Sequence, residues 1–394
     1  MTMKPLILGP CDMRTIARRL GVAPAQAERL PCSGGTNITN LAMALIRRGI
    51  AFDLGTLSAN AVSDVEQIEA DPVTLWVARS RPARRLRDAY RVERRNLQSV
   101  VARSDCTVVN AHWTYVYGLA VVKGGAKPYV VTVHDCPSEV LRLDTWRYLP
   151  HYLMAAHVIR KARHLAAVSP YVQEYLRRTW RREGEVIQNV LPEGMPERAV
   201  AGNGAPILVV GHAAPHKNVR LAVLGFQEWR RLTTGRQGVR LRLIGGGLGP
   251  GDAAQRWAAA RGVADKVEFA GERTPEQTLH EVASARFLLS ASLTESWSLA
   301  VAEAMAIGTP VLAAREAGGV RHLLGHDGGM LVSGRSEADI ASGISRMFSA
   351  PVEALARAER ARTRIRELCS EDAVIRDFLR VLTDSQTPGG ARGS

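Results

Sequence analysis

Short apolar runs alternate along this chain with longer stretches of helical periodicity. In the first half, β-branched runs occur at 72–79, 106–113 and 128–135. In the second half, runs that are each followed by a helix-like segment occur at 206–212, 239–247, 266–271, 286–292 and 309–314. This alternation is typical of βαβ units, whose strands form parallel sheets. The pattern therefore predicts an α/β fold with two parallel sheets.

The segment 191–206 separates the two series of runs. It is rich in proline and glycine and has no apolar periodicity, which is typical of a linker. We therefore predict an N-terminal domain over 1–190, a linker over 191–206 and a C-terminal domain over 207–362. A C-terminal helix is predicted over 363–384, with packing back on the N-terminal domain as one open arrangement, followed by a disordered tail over 385–394.

The composition favours a folded protein with anionic partners. The chain has 394 residues, enough for two domains with cores of their own. Lysine and arginine exceed aspartate and glutamate by 52 − 38 = 14, and only six of the 52 cations are lysines. Five scattered cysteines without a Cys-x-x-Cys pair argue against a disulfide framework and a zinc site. No apolar run approaches the roughly 20 residues of a membrane span, and the N-terminal apolar stretch is too short for a signal peptide, so we expect a cytoplasmic protein.

Several common cofactor and metal motifs are missing from the sequence. The glycine-rich stretch 245–251 resembles a dinucleotide loop, but Pro250 stands where the last glycine should be. The chain has no Walker A motif and no Asp-x-Asp pair. His212 and His216 are four residues apart, but the sequence between them is typical of a loop, so the helical spacing of zinc ligands does not apply. We predict neither a metal site nor a cofactor.

The segment 295–310 carries the clearest candidate chemistry. Glu295 follows an apolar strand, and from Ser298 onward the sequence is typical of a helix that ends at Gly308 and contains Glu303. A helix that begins at the carboxyl edge of a parallel sheet points free backbone N–H groups at an anion. On this segment alone, the alternative remains open that one glutamate lies in a surface loop and the other on a solvated helix face.

The two glutamates and the Ala-Met-Ala-x-Gly-Thr-Pro-Val sequence that follows resemble the nucleotide-sugar site of retaining GT-B glycosyltransferases of the family 4 type. Further segments match that family in the same order along the chain: Ser33-Gly34-Gly35, VVTVHD at 130–135, AAVSPYVQEYL at 166–176, VIQNVLPE at 186–193 and VVGHAAPHKN at 209–218. The resemblance implies a GT-B fold, in which two Rossmann-like parallel-sheet domains face a central cleft.

The resemblance also implies a role for each candidate residue. A nucleotide-sugar would be the substrate, and its diphosphate gains charge as the sugar departs, so cations and N–H dipoles should surround it. The implied diphosphate-binding residues are Gly35, His212, Lys217, Leu299 and Ala300. Glu303 would bind the ribose, and Glu295 and His134 would be catalytic. His112 is a weaker candidate for the acceptor, because a histidine at a strand end can equally be a packing residue.

The chain departs from the family pattern at two places beside the donor. Ser296, Trp297 and Ser298 stand where the family usually has two glycines around a phenylalanine, which leaves the sugar undefined. His212 stands where arginine is common; an unperturbed histidine has a pKa near ~6.5, so we expect donor affinity to fall between about pH 6 and 8. The alternative is that a neutral His212 donates one hydrogen bond to the phosphate while Lys217 carries the charge. The long loop 9–32 either shapes an acceptor pocket or caps the sheet.

Nine arginines lie in the stretch 79–103. They form either a solvated basic face or a surface for an anionic membrane, lipid-diphosphate or polysaccharide. Nucleic acid is disfavoured because no recognition motif or aromatic platform accompanies the charge. We expect transfer of a sugar to a glycan, lipid-linked or small-molecule acceptor in bacterial surface-glycan or glycoconjugate assembly, with peripheral placement on the inner face of the membrane left open. A nucleotide-sugar 2-epimerase and a non-catalytic GT-B scaffold are the alternatives.

Overall fold

The structure is a computed structural model that describes residues 3–387 except Ser33, Ala126, Thr145, Ala201, Asn203 and 234–237. The chain forms two compact units. The first comprises Met1–Leu141, Thr145–Leu191 and Cys369–Ser394, and the second comprises Arg142–Asp144 and Pro192–Leu368.

The first unit is built on an eight-stranded sheet. Its strands are β1 (Pro5–Leu8), β2 (Phe52–Ser58), β3 (Val65–Ala70), β4 (Val73–Arg79), β5 (Val108–His112), β6 (Tyr129–Val133), β7 (His164–Ala167) and β8 (Glu185–Val186). The strand order is β3-β4-β2-β1-β5-β6-β7-β8, and each described pair of neighbours is parallel except β3 and β4. Every residue of the central strands β1, β5 and β6 is buried, as expected for a parallel sheet covered on both faces.

Helices cover this sheet, and two short helices, the first two of the unit, lie within the loop 9–32. They are α1 (Met13–Arg19), α2 (Pro24–Ala27), α3 (Thr36–Arg47), α4 (Arg91–Arg103), α5 (Val116–Gly124), α6 (Pro137–Leu143), α7 (Leu149–Lys161) and α8 (Pro170–Tyr175). Asp12 caps α1 by accepting from the Thr15 N–H at 3.1 Å, and it forms an isolated β-bridge with Cys32. The loop 9–32 is therefore an ordered substructure that is closed at its base.

The second unit is a six-stranded, all-parallel sheet. Its strands are β9 (Ile207–Val210), β10 (Leu241–Ile244), β11 (Val267–Gly271), β12 (Phe287–Ser290), β13 (Val311–Ala314) and β14 (Met330–Val332), in the order β11-β10-β9-β12-β13-β14. Its helices are α9 (Val219–Leu232), α10 (Ala253–Ala260), α11 (Pro275–Ser284), α12 (Leu299–Ile307), α13 (Gly318–Leu324), α14 (Glu337–Ser349) and α15 (Pro351–Leu368). The predicted fold class of two Rossmann-like parallel-sheet domains is confirmed.

The C-terminal region consists of two helices where the sequence predicted one over 363–384. Helix α15 ends at Leu368, and α16 (Glu371–Asp384) begins after Ser370, whose extended ψ of 122° interrupts the helical path. Helix α16 belongs to the first unit, where it contributes buried Phe378 to the core and where Glu371 pairs with Arg47. Residues 388–394 of the predicted disordered tail lie outside the described residues.

Candidate functional site

Two loops at the carboxyl edge of the second sheet bring the predicted cation and carboxylate together. Strands β9 and β12 are parallel neighbours, so the loops that follow them emerge at the same edge. The Lys217 Nζ donates to Glu295 Oε1 at 2.6 Å, and the Ser292 hydroxyl donates to the same oxygen at 2.9 Å. Asn218, at φ 55°, joins the two loops by donating to the Ala291 carbonyl at 3.2 Å. The ion pair is partly exposed, with 19% of the lysine side chain and 13% of the glutamate side chain accessible.

A glycine contact shapes the loop after β9. Gly245 has a φ of 134°, and a Cβ placed there would lie 1.9 Å from the Gly211 carbonyl oxygen. The Ala213 N–H donates to the Gly246 carbonyl at 2.9 Å, which fixes the backbone beside His212. Only a residue without a side chain permits this close approach of the loops after β9 and β10.

His212 is an exposed residue of this loop. Partial desolvation by the surrounding loop lowers its pKa, and the nearby Lys217 and His216 side chains lower it further, with Glu295 and Asp144 acting in the opposite direction. A neutral His212 is therefore favoured down to a lower pH than for a fully hydrated histidine. This corrects our pH expectation: the fall in affinity that we attributed to His212 between about pH 6 and 8 moves to lower pH.

Helix α12 begins at Leu299, beside Glu295. The side chain of Ser298 at the N-cap makes no hydrogen bond to the first turn. The Leu299 and Ala300 N–H groups cannot have acceptors inside the helix, because they belong to its first turn. They carry the positive end of the helix dipole, so this terminus can receive an anion.

Glu303 lies about one turn into α12 and is 8% exposed. Burial raises the pKa of its carboxyl group to about 7. No hydrogen-bond or ion-pair partner of that carboxyl occurs among the residues that the structure describes. The alternative that Glu303 lies on a solvated helix face is therefore wrong. A buried carboxyl without a partner can accept hydrogen bonds from the hydroxyl groups of a ligand, which would favour its ionised form.

In the first unit, His112 and His134 form a hydrogen-bonded pair at the ends of neighbouring strands β5 and β6. The His112 Nδ1 lies 2.8 Å from the His134 Nε2, and the Asn37 Nδ2 lies 3.0 Å from the His134 Nδ1. The Trp113 ring stacks on His134 with centroids 4.1 Å apart. Burial lowers the pKa of His112 to about 3 and that of His134 well below its usual range, so both rings are neutral near pH 7.

This geometry assigns the protons of the two rings. When the Asn37 amide donates to the His134 Nδ1, His134 carries its proton on Nε2 and donates it to the His112 Nδ1. The proton of His112 is then on its buried Nε2, for which the described part of the chain offers no hydrogen-bond partner. His134 is therefore a positioned hydrogen-bonding group and not a cation.

Gly35 is the N-cap residue of α3. Its φ is 64°, and a Cβ there would lie 1.8 Å from the Pro10 carbonyl oxygen, so the site requires glycine. Its neighbour Gly34 has a φ of 77°. Ser33, the first residue of the predicted glycine motif, lies outside the described residues.

The first unit also contains a cavity of about 600 Å³ that sequence reasoning did not locate. Arg14, Arg29 and Arg85 line it, together with aromatic side chains that include Trp113 and Tyr115. Its wall comes from several separated parts of the chain, which include the loop 9–32, the segment 57–60, the turn 84–90 and the segment 113–117. The unusual length of the loop 9–32 was the signal available in the sequence.

Several arginines of the stretch 79–103 have structural roles. Arg81 forms ion pairs at 2.8 Å with both Asp88 and Glu93, and Glu93 is fully buried. Arg94 donates to the Ala89 carbonyl at 2.9 Å. Other arginines of this stretch, among them Arg84, Arg87, Arg91 and Arg95, are exposed. The basic stretch is thus divided between an ion-pair network anchored on buried Glu93 and a solvated face.

Two family models cover most of the chain. "Glycosyltransferase Family 4" matches residues 34–192, and "Glycosyl transferases group 1" matches residues 195–365. The chain belongs to the family 4 type of the group 1 glycosyltransferases. The resemblance read from the sequence motifs is confirmed.

Curated relatives match this chain over part of its length. The D-inositol 3-phosphate glycosyltransferase of Acidothermus cellulolyticus is 32% identical over 151 residues, which are 37% of this chain and 34% of the relative. The enzyme of the same name from Nocardia farcinica is 34% identical over 152 residues, 37% of this chain and 33% of the relative. The matches span about a third of the length of these relatives.

Solved structures resemble this chain over nearly its whole length. The sucrose-phosphate synthase of Thermosynechococcus elongatus aligns with a TM-score of 0.75 and 16% identity, covering 96% of this chain and 98% of that one. The Anabaena protein Alr3699/HepE in complex with UDP-glucose aligns with a TM-score of 0.70 and 16% identity, covering 97% and 100%. At this level of identity the comparison establishes the fold.

No helix in the described ranges is long and apolar enough to cross a membrane. Within the same ranges, no cluster of three or more histidine, cysteine, aspartate or glutamate side chains is placed to hold a metal ion.

Proposed function

We propose that this glycosyltransferase moves a sugar, with retention of configuration and without a metal ion, from a nucleotide-sugar to a glycan, lipid-linked or small-molecule acceptor. One juxtaposition carries the proposal. The Lys217–Glu295 contact adjoins the N-terminus of α12, and the buried carboxyl of Glu303 lies one turn further along that helix. A cation, free N–H groups and a carboxyl without a partner are the groups that a diphosphate, a sugar and a ribose require.

Each group has a defined task in the proposed reaction. Lys217 and the N–H groups of Leu299 and Ala300 offset the charge that grows on the leaving diphosphate, so the positive charge comes from the protein. His212 donates one hydrogen bond to the same diphosphate as a neutral ring. Glu303 accepts from the ribose hydroxyls. This arrangement of charge supports the proposal that the reaction needs no metal ion.

The remaining groups are assigned to the sugar and the acceptor. Glu295 accepts from sugar hydroxyls once the diphosphate shares Lys217, and its carboxylate lies near the positive charge that develops on the sugar. In the first unit, Gly35 contributes a backbone N–H to the diphosphate, and His134 contacts the sugar as a neutral hydrogen-bonding group. A substrate contact through a His134 ring nitrogen must replace Asn37 or His112, because both nitrogens have protein partners. His112, which contacts His134 at 2.8 Å, is the weaker candidate for contact with the acceptor.

The similarity to D-inositol 3-phosphate glycosyltransferases supports sugar transfer over epimerisation. We place the reaction in bacterial surface-glycan or glycoconjugate assembly, with peripheral contact to an anionic inner-membrane surface through exposed arginines such as Arg84 and Arg87. A nucleotide-sugar 2-epimerase would act on the donor alone. Incubation with the donor and no acceptor therefore distinguishes the two activities.

Two glutamate variants test the proposed function. A thermal-shift screen of UDP-, GDP- and ADP-sugars identifies the donor, since a ligand at 100 times its Kd stabilises by about 2.7 kcal/mol. Glu303→Ala should lose this stabilisation. Glu295→Gln should bind the donor with a smaller change in affinity but should turn over slowly. Glu197→Gln, a change at an exposed glutamate of the second unit, is the control. Equal and small losses in the first two variants would contradict the assignment.

A further inference from the structure

A small internal pocket adjoins the histidine pair of the first unit. Its volume is about 20 Å³. Asn110 and His112 of β5 and Thr132 of β6 line it on the side of the sheet, and side chains of α3 and α16 line it on the other side. Among the described residues of the lining there is no aspartate, glutamate, lysine or arginine. A buried water requires roughly 10–15 Å³, so the pocket accommodates one molecule of this size.

Two polar atoms of these residues have no hydrogen-bond partner within the part of the chain that the structure describes. They are the Nε2 of His112 and the Oδ1 of Asn110. Asn110 is fully buried, and His112 is 6% exposed, so bulk solvent does not reach either atom. Buried polar atoms are bonded to protein or to ordered water in the great majority of cases. Two neighbouring exceptions beside one pocket therefore indicate a common partner.

The contacts of the Asn110 amide determine which of its atoms is the acceptor. Its Nδ2 donates to the Thr132 hydroxyl at 2.9 Å and lies 3.4 Å from the Val130 carbonyl oxygen. A carbonyl oxygen only accepts hydrogen bonds, so the amide nitrogen and not the amide oxygen faces it. The Oδ1 of Asn110 is therefore an acceptor without a donor.

The unpartnered atom of His112 is of the opposite kind. The Asn37 amide assigns the Nε2 proton of His134 to the contact with the His112 Nδ1, which places the proton of His112 on its own Nε2. The pocket thus lies beside one donor, on His112, and one acceptor, on Asn110. Because the two atoms are of opposite kind, a single molecule that both accepts and donates satisfies both.

The spacing of the two residues suits a bridge and not a direct contact. Side chains two residues apart on a strand point to the same face, with Cα atoms roughly 6.5 Å apart. Asn110 and His112 have this relation on β5, and no hydrogen bond joins their side chains. One water spans such a gap, because it forms hydrogen bonds of about 2.8 Å on two sides.

We propose that this pocket binds one water molecule, which accepts a hydrogen bond from the Nε2–H of His112 and donates one to the Oδ1 of Asn110. Asn110 is then a positioning residue for His134, because it holds the water, the water holds His112, and His112 holds the Nε2 of His134. This inference rests on the proposed function in so far as His134 contacts the sugar. With its Nε2 engaged in this way, His134 presents its Nδ1, now bonded to half-buried Asn37, as the acceptor for a sugar hydroxyl.

A high-resolution crystal structure of the wild-type protein tests the water site directly. We expect density for one water within hydrogen-bonding distance of both the His112 Nε2 and the Asn110 Oδ1. Asn110→Leu, which has a similar size but no acceptor, should lose this water. The proposal is overturned if other buried waters are resolved and none lies here, or if the water persists in Asn110→Leu.

A charge placed at Asn110 tests the contact in solution. Asn110→Asp should raise the pKa of His112 from about 3 by about 1–3 pH units, because an anion one water away favours the imidazolium ion. Nitrogen NMR of histidine-labelled protein follows this titration. Asn96→Asp is the control: Asn96 is another buried asparagine of the first unit, and its Nδ2 donates to the Arg79 carbonyl at 3.0 Å. An unchanged His112 pKa, or an equal rise in both variants, overturns the proposal.

The role of Asn110 in positioning is tested by hydrolysis of the donor. The UDP-, GDP- or ADP-sugar that stabilises the protein most is incubated without acceptor, and its slow reaction with water to free sugar and nucleoside diphosphate is measured. Asn110→Leu should lower kcat about tenfold and change the KM of the donor less than about twofold, because His134 loses its orientation while donor binding is retained. Asn96→Leu loses a comparable buried amide and should change neither constant more than about twofold. Thermal melting checks that both variants are folded, and equal losses of kcat refute the positioning role.

Failure of this inference can be distinguished from failure of the proposed function. The crystal structure and the histidine titration need no substrate, so they report on the water site alone. Stabilisation by a nucleotide-sugar depends on Lys217 and Glu303, which belong to the second unit. If a nucleotide-sugar stabilises the protein but the water is not found, only the present inference is wrong. If no nucleotide-sugar stabilises the wild type, the proposed function is wrong, whatever the pocket binds.

Discussion

Replacing Glu303 by glutamine should stabilise the folded protein at pH 8 and should do so much less at pH 5. Burial raises the pKa of this carboxyl from its ordinary value of 4.5 to about 7. Below pH 4.5 the group is neutral in both the folded and the unfolded chain, so the wild type incurs no ionisation penalty. As the pH rises toward 7, the unfolded chain ionises freely while the folded chain does not, and stability is lost. Glutamine has nearly the same shape and does not titrate.

The size of the effect follows from the two pKa values. The gap between 4.5 and about 7, at about 1.4 kcal/mol for each pKa unit, gives a penalty of about 3.4 kcal/mol above pH 7. At pH 5 the same relation gives about 0.8 kcal/mol. The advantage of the variant should therefore grow by about 2.5 kcal/mol between these pH values, which is roughly 5–10 °C in melting temperature for a unit of this size.

Thermal unfolding of the wild type and Glu303→Gln at pH 5, 6.5 and 8 measures this difference. Glu197→Gln removes an exposed carboxyl from the same unit and should show no pH-dependent gain. The stabilised variant should also bind the donor more weakly, because a neutral amide is a poorer acceptor for ribose hydroxyls. A gain in melting temperature that is the same at pH 5 and pH 8 would refute the reasoning.

Three further predictions concern binding. Lys217→Met should weaken binding of the donor nucleotide about 10- to 100-fold, because the variant loses a charge-assisted hydrogen bond of that strength. Calorimetric titration measures the Kd, and an unchanged Kd removes the lysine from the site. Donor affinity of the wild type should rise about tenfold from pH 6 to pH 8, because hydrogen bonds from the ribose favour ionised Glu303, whose pKa in the protein without donor is about 7. An affinity that falls over this range contradicts the ribose role. The protein should sediment with phosphatidylglycerol vesicles at low salt and be released by salt, and Arg84→Glu with Arg87→Glu should abolish binding; sedimentation that persists in the variant contradicts docking through this face.

The second sheet could be predicted from the sequence because its strands are apolar and each precedes a helix. The prediction that a helix ends at Gly308 is also confirmed, since α12 ends there with the glycine at φ 90°. The pairing of Lys217 with Glu295 follows from the same logic, because both lie in loops after parallel strands. In these cases the local pattern and the topology of a parallel sheet carry all the information that is needed.

Other features depend on contacts that the local pattern does not encode. Strand β3 is a largely polar edge strand that pairs antiparallel with β4, so it lacks the apolar signature of the buried strands. The arginine cavity is assembled from segments that are separated in the sequence, which include the loop 9–32, the segment 57–60, the turn 84–90 and the segment 113–117. The strong burial of Glu303 likewise depends on neighbours outside its own helix.

Helix α16 has a consequence for the order in which the chain matures on the ribosome. It is the last described helix in the sequence, yet its residues Val374, Ile375 and Phe378 belong to the core of the first unit. That core cannot be completed until these residues have left the exit tunnel. By then the chain of the second unit, through Leu368, has already been synthesised. The first unit therefore completes its core only after the second unit has been synthesised, and a chain that stalls before Glu371 leaves α3 without its contact to α16, with apolar surface open to chaperones and proteases.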